Sequence, residues 1–564
     1  MNFPDTRGLN IVESPQTSAV GFKSLVSDIE SGQIKIPQFQ RDFVWSVAEA
    51  AALMDSIIKG YPIGTFIFWK TKERLRSVRN LGGIELSGHQ KKGDLVNYVL
   101  DGQQRLTSLF ACFKGAEVSR ADSNKVDDFS KIYVDLDADE DDQIVVTDMS
   151  DKGGMSFISI LHLLNGGTTM LAKYPEHYHE KLDSYKERIQ SYQYPIISIS
   201  DAAIDVATEI FTRINVGGKP LTVFEIMVAK TFDADKDFDL SEKYDELIDE
   251  LKTRDYETIP DSAVLQTVAI IISGECSKKV ILKIDKEKFI GAWSVATDAI
   301  KAAVGYFLDV YRIPVSKLLP YPALIVPFAY FFANAKTRRP TVKQKKYLRD
   351  FFWRCSLGNR YSSAVESKLA QDAKRIDKII SEELPSYDWA IDSSVDFITD
   401  NGEFRTGRSY IKAILCILAF LQPRSFGDYD HIVNVSNDWL HRSDSKNYHH
   451  FFPKAYLKKV GWQDWANHIA NITIVDDHLN KREIGAKPPS SYMKQFSKVN
   501  RKLGDTMKTH LIGDLHDFGV LKNDYELFFD KRLLLISEEI KKRIIEQDVD
   551  KNRQESIVDD EVAI

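Results

Sequence analysis

The 564-residue chain has little cysteine: Cys112, Cys276, Cys355 and Cys416 lie far apart and form no CxxC pair. That argues against a disulfide scaffold or a thiolate zinc site and fits a reducing compartment. Long apolar runs are also missing. The longest, over 318–333, is broken by Pro320, Pro322 and Pro327. It falls short of the roughly 20 residues a spanning helix needs, so a buried helix with a Pro-rich entrance is expected there. The opening MNFPDTRGLNIVESPQTS has no basic start followed by an apolar stretch, so no signal peptide is expected. A soluble, cytoplasmic chain without a membrane partner is the expectation. A surplus of positive charge is absent as well: 75 Lys and Arg stand against 82 Asp and Glu, a net charge of −7. Any contact with nucleic acid must therefore be local. What is present, 43% apolar and 28% charged residues, suits ordinary folded cores, in about two to four domains by length.

Three regions separate by pattern. The first, over 15–235, mixes strands and helices. Helical spacing appears over 24–31 and 47–59, the second putting Leu53, Met54, Ile57 and Ile58 on one stripe. GTFIFW (64–69) and NYVL (97–100) read as short strands. Acidic residues cluster over 122–151, Asp135, Asp137, Asp139, Glu140, Asp141 and Asp142 among them. A solvated acidic loop is favoured there over a metal loop. The second region, 236–430, carries apolar periodic segments over 263–272, 289–311, 324–335, 342–357 and 410–421, expected as a helical connector. The third, 431–564, changes charge sign. Residues 441–510 hold 13 Lys and Arg against 6 Asp and Glu, with six of the twelve histidines. A basic, His-rich module in an acidic protein suggests phosphate chemistry. It ends in an amphipathic helix over 526–547 and an acidic tail.

In the first region three motifs stand out: IPQFQRDFVW (36–45), VLDGQQRLTSL (99–109) and EIFTRINVGGKPLTVFEI (209–226). The middle one is a strand followed by a helix with Leu106, Leu109, Phe110 and Phe113 as its apolar face. Asp101 and Gln104 then form a D-x-x-Q capping box, which needs no ligand. The same turn, with Gly102 at the first helical position, also presents free amides and the positive helix end to a phosphate, with Arg105 as a two-pronged donor. Gln40 and Arg41 lie in the extended first motif, whose Phe39, Phe43 and Trp45 read as core. In the third motif Gly217 reads as a C-cap. Arg213 and Asn215 are expected on one side of an extended run.

Taken together, the order IPxFQRxFVW, DGQQR, FxRxNxGGxPL resembles the N-terminal domain of the GmrSD family. These are modification-dependent (type IV) restriction endonucleases related to the phage-defence proteins SspE and BrxU. The resemblance implies a ParB/sulfiredoxin-like α/β domain. It implies binding and hydrolysis of a nucleoside triphosphate, GTP or ATP, around Asp101, Gly102, Gln103, Gln104 and Arg105, with Arg213 and Asn215 beside it. Gln40 and Arg41 would face that pocket or sense DNA.

The third region holds NYHHFFPKAYL (447–457) and HIANITIVDDHLNKREIGAKPPSSYM (468–493). The pattern is strand, loop, strand over 471–475, then a helix from Asp477, which carries His478 or Asn480. Phosphodiester hydrolysis needs a base for water and a cation for the developing charge. Histidine suits the first role, and a second imidazole with amide or carboxylate oxygens can hold Mg²⁺ or Mn²⁺. Neighbouring strand residues point to opposite faces, so His449 and His450 are expected to have different roles.

The order H-x-x-P, (G/A)-N-x-T, N-K resembles the HNH (ββα-metal, His-Me finger) nuclease domain of the same family. It implies His450 as general base, Asn471 as the residue positioning the catalytic loop, and Asn480 as the polar residue on the following helix. His449 stands where the family usually has Asp, a metal ligand, with Asn480 the second. Lys481, Arg482, Lys487, Lys494, Lys498, Arg501 and Lys502 are either sequence-blind phosphate contacts or solvated faces. The whole is expected to be an α+β multidomain protein: ParB-like domain, α-helical middle, HNH domain. Its expected function is a metal-dependent, NTP-hydrolysing DNA endonuclease of phage defence, its partners DNA and a nucleoside triphosphate, with a homodimer left open. The rivals are a non-cleaving NTP-dependent DNA-binding regulator with a degenerate HNH domain and an RNA-directed toxin nuclease.

Overall fold

A computed structural model describes residues 14–37, 40, 43–73, 75, 80–81, 84–85, 93–119, 126–139, 141–150, 152–200, 202, 204–214, 221–233, 235–336, 339–435, 448–475 and 484–551. Arg41, Asn215, Gly217, His478, Asn480, Lys481, Arg482 and the helix expected from Asp477 lie outside them. The chain divides into two compact units, Met1–Leu240 and Ser241–Ile564. The second holds both the helices expected over 236–430 and the strands carrying His450.

In the first unit a five-stranded mixed sheet forms the centre. Its strand order is Gln16–Gly21, Gln193–Ser200, Phe66–Thr71, Val96–Asp101, Ile34–Lys35. Gln193–Ser200 runs parallel to Phe66–Thr71 and antiparallel to Gln16–Gly21, while Val96–Asp101 runs antiparallel to Phe66–Thr71. Phe66, Phe68, Trp69, Tyr98, Val99 and Leu100 are all buried. Aromatic and β-branched residues on both faces of central strands call for cover on both sides. The helix Val47–Ile58 buries the expected Leu53, Met54, Ile57 and Ile58. It starts with a capping box: Ser46 Oγ accepts from Glu49 N, and Glu49 Oε2 accepts from Ser46 N at 2.8 Å. It packs on the helix Gln103–Lys114.

The acidic stretch is more ordered than a loop. It contributes Tyr133–Asp135 and Val145–Val146 to a three-stranded sheet completed by Phe157–Ser159. Val134, Ile144 and Val145 are buried between the carboxylates, and this alternation with apolar residues is what makes strands of the segment. Asp135 pairs with Lys152 at 3.0 Å.

The second unit is mainly helical. Asp261–Ser273, Lys286–Asp309 and Ile325–Asn334 pack on one another, around aromatic pairs such as Phe307–Phe328 with ring centroids 4.8 Å apart. The Pro-rich entrance becomes two 3-10 turns, Ser316–Leu318 and Pro322–Leu324, ahead of Ile325–Asn334. A buried ionic network ties the last described helix, Asp548–Lys551, to Val342–Leu357. Arg354, fully buried, donates to Asp350 at 3.1 Å and with both prongs to Asp550 at 3.0 and 2.5 Å. Among the described residues no helix is long and apolar enough to cross a membrane.

Candidate active site

In the first unit the strand Val96–Asp101 receives Gln40 of the first motif and packs against the helix Ile204–Ile214, which leads into the third. That strand leads through Gly102 into the helix Gln103–Lys114. Gly102 has φ +94°, and a Cβ there would stand 2.5 Å from Phe66 Cδ1, so conformation and space both require glycine. Gly102, not Asp101, is thus the N-cap, and no side chain caps the helix.

The expected D-x-x-Q box does not form, because the left-handed turn aims Asp101 elsewhere. Its Oδ2 receives Arg105 Nη2 at 3.0 Å. Arg105 also donates to the carbonyls of Ile63 at 2.7 Å and Thr65 at 3.1 Å, so both prongs are engaged within the chain. Gln104 accepts instead from Val44 N at 2.9 Å. Gln40 donates to the carbonyls of Val99 at 2.8 Å and Leu100 at 3.1 Å. The first and second motifs are therefore stitched together by amide side chains. Gln103 and Gln104 are buried. Arg213 is not in an extended run: it ends the helix Ile204–Ile214, which packs against Val96–Asp101. Its exposed guanidinium pairs with Glu209 at 2.6 Å, one helical turn back. The helix Gln103–Lys114 therefore begins at a close-approach glycine with no side-chain cap.

In the second unit Tyr448–His450 pairs antiparallel with Ile472–Ile474, His449 opposite Thr473 and His450 opposite Ile472. The two imidazoles leave the strand on opposite faces, as alternation requires. His449 is 2% exposed, its ring 6.3 Å from those of Phe426 and Tyr492. Burial, with His450 and His510 nearby, pulls it down to about 3. His450, the last strand residue, is half-buried. Its Nε2 lies 3.1 Å from Asn467 Oδ1. Burial outweighs that bond and pulls the imidazole down to about 4, so it is neutral near pH 7 and able to accept a proton.

Asn471 is fully buried at the end of the 3-10 turn Ile469–Asn471. Its Oδ1 accepts from Phe452 N at 2.8 Å, and its Nδ2 donates to the carbonyls of Phe452 at 2.9 Å and Ala466 at 3.0 Å. It thereby locks the chain that follows His450 onto the turn before the second strand.

Three further residues hold this hairpin. Arg532, fully buried on the helix Tyr525–Lys541, donates to the carbonyls of Ala470, Ile472 and His510. Burial lowers it to about 9, so it is a cation at neutral pH. His468 reaches the carbonyls of Ile398 and Thr399, both at 3.2 Å, and its Nδ1 accepts from Ala470 N. A Cβ on Gly402 would come within 1.9 Å of its Nε2. Tyr492 donates to the carbonyl of Phe451. Arg532 was legible in outline: it falls on the stripe Phe528, Arg532, Ile536, where a charge among apolar neighbours marks a buried role.

Of the pair expected to hold a cation, His449 lies among the described residues and Asn480 does not. Thr473 Oγ1 lies 3.3 Å from both His449 O and His449 Nδ1. A carbonyl only accepts, so the hydroxyl donates there and receives from Nδ1–H. Nε2 is then a bare lone pair, buried and without a hydrogen-bond partner among the described residues. No group of three His, Cys, Asp or Glu fit for a metal occurs among those residues. Lys487, Lys494, Lys498, Arg501 and Lys502 are exposed.

The chain is similar to proteins known from elsewhere. "Uncharacterized protein MJ0686" of Methanocaldococcus jannaschii is 23% identical over 557 residues, which span 88% of this chain and 92% of the relative. Residues 22–232 match the family model described as "GmrSD restriction endonuclease, N-terminal domain".

Proposed function

We propose that this protein is a nucleotide-hydrolysing, metal-dependent DNA endonuclease of phage defence, cutting or nicking through an HNH-type site in its second unit. The observation that carries the reading is His450: a neutral, half-buried imidazole ending a strand, beside the Asn471 clamp. His450 takes the proton from the attacking water. Asn471 keeps the chain on either side of that imidazole in place. Lys487, Lys494, Lys498, Arg501 and Lys502 contact backbone phosphates without reading sequence. A divalent ion, Mg²⁺ or Mn²⁺, would stabilise charge on the phosphate and leaving oxygen. His449 Nε2 and Asn480 are the groups to hold it. In the first unit the uncapped helix end at Gly102 receives the phosphates of GTP or ATP. Asp101, Gln103, Gln104, Arg105, Arg213 and Asn215 are the residues assigned to that nucleotide, and Gln40 and Arg41 those assigned to DNA. Nucleotide state gates cleavage, because one chain carries both chemistries.

A second reading is a non-cleaving, NTP-dependent DNA-binding regulator. It is favoured by the interior placement of His449, away from the face His450 presents. Modified and unmodified phage DNA, incubated with and without each nucleotide and Mg²⁺ or Mn²⁺, decides between them. Metal-dependent strand breaks that vanish in His450→Ala support the first reading. Breaks made equally fast by His450→Ala overturn the site, and binding without breaks under every condition supports the regulator.

A further inference from the structure

Nothing in the sequence patterns drew attention to Asn467, yet it is the described side chain bonded to the imidazole of His450. Its own orientation is settled by a different neighbour. Asn467 Nδ2 lies 3.0 Å from the carbonyl of Phe404, while Phe404 N donates to the carbonyl of Asn467 at 2.8 Å. The two residues thus grip each other at two points. The grip is reinforced next door, where Ile469 N donates to the carbonyl of Gly402 at 2.7 Å and Glu403 bridges His468. Turning the amide over would set Oδ1 against the Phe404 carbonyl, acceptor against acceptor, and lose that bond. The amide nitrogen therefore stays on Phe404, and the oxygen faces His450.

An amide oxygen has no proton to give. The atom 3.1 Å from it, His450 Nε2, must then be the donor. In a neutral imidazole one nitrogen carries the proton and the other the lone pair. Nδ1 of His450 is left bare, and it has no hydrogen-bond partner among the described residues. We infer that Asn467 is a positioning residue that fixes His450 as its Nε2–H tautomer and so presents Nδ1 as the proton-accepting atom. Phe404, from the segment after the helix Val395–Asn401, sets the amide and through it the base. The inference rests on the reading of His450 as the base, but the tautomer is measurable without it.

The test uses the full chain labelled with ¹⁵N-histidine, the signals of His450 assigned by their loss in His450→Gln. Long-range ¹H–¹⁵N spectra at neutral pH are expected to show Nε2 protonated and Nδ1 bare. Asn467→Ala is expected to give a mixed tautomer and to lower kcat for DNA cleavage by roughly ten- to hundredfold. KM for DNA should stay within about twofold, because no substrate contact is removed. Asn467→Asp keeps an acceptor facing Nε2 and is expected to keep the single tautomer, at a lower thermal midpoint because its second oxygen meets the Phe404 carbonyl. Thermal unfolding of each variant separates a misfolded chain from a misdirected base. A parent His450 protonated on Nδ1 overturns the inference. So does an Asn467→Ala chain with unchanged tautomer and unchanged kcat. If the parent cuts no DNA, the endonuclease reading falls and the spectra alone decide the hydrogen-bond assignment.

Discussion

Arg532 donates through Nη1 to the carbonyl of Ala470 at 2.7 Å, from a guanidinium wholly removed from solvent. The same group reaches Ile472 and His510, so one cation brackets Asn471 from both neighbours. Its bonds all run to carbonyls. It therefore pulls the turn and the second strand onto the helix Tyr525–Lys541 without neutralising its own charge, which is why burial lowers its proton affinity so far.

Replacing Arg532 with alanine strips three buried carbonyls of a donor. We expect a loss of about 3–5 kcal/mol in urea unfolding of the second unit. Arg532→Lys, which keeps the charge but not the fork, should lose less. Equal stability of Arg532→Ala and the parent would contradict the assignment.

Asn471→Asp is sharper than a truncation. It keeps an acceptor for Phe452 N but turns the donor to Phe452 and Ala466 into a carboxylate facing two carbonyls. Cleavage should be abolished, and the thermal midpoint should fall as a buried charge is left unpaired. A variant that retains both activity and midpoint would remove Asn471 from its clamping role.

His450→Ala should reduce cleavage by about two to four orders of magnitude while leaving DNA retention in a gel-shift assay unchanged, since a base acts on the water rather than on binding. Loss of binding in parallel with cleavage would point to a structural role instead.

Gly102→Ala forces a side chain into a left-handed turn against Phe66. We expect a cost of about 1–3 kcal/mol in the first unit and loss of nucleotide hydrolysis. Wild-type hydrolysis in a stably folded variant would show that the turn is scaffold only.

Acid should unfold the second unit early. His468 and His510 are each held down to about 4 by burial, from an ordinary 6.5, with the Arg532 cation further opposing their protonation. Unfolded, they take up protons below about 6.5; folded, not until about 4. Stability is therefore intact above pH 6.5 and falls as pH drops through that window, by about 1.4 kcal/mol per pH unit for each group. Tryptophan fluorescence in urea at pH 7, 6 and 5 reads the slope. A midpoint that does not move would mean the imidazoles are already charged or open to water.

Periodicity carried much of the secondary structure. The stripe of Leu53, Met54, Ile57 and Ile58 became a buried helix face, and the apolar segments of 236–430 became packed helices, because a 3.6-residue repeat leaves little other choice. The GTFIFW and NYVL strands followed from their β-branched and aromatic residues. Turns were harder. The capping box at Asp101 was a sound local reading, overridden because Phe66 and the Arg105 partners reward a left-handed glycine more than a capped helix. The acidic stretch looked like a loop because its carboxylates outnumber the apolar residues that pair it into strands. Alternation along a strand separated His449 from His450 in advance. Asn467 and Phe404 stayed hidden because the bond between them joins a side chain to a carbonyl 63 residues away, and no side-chain pattern announces a carbonyl.

The bond between Arg354 and Asp550 makes the end of the chain a structural member of the fold. A protein shortened to Gln547 would leave the buried Arg354 with Asp350 as its one carboxylate partner and release the strut between Val342–Leu357 and Asp548–Lys551. An affinity tag placed after Lys551 would leave that strut standing.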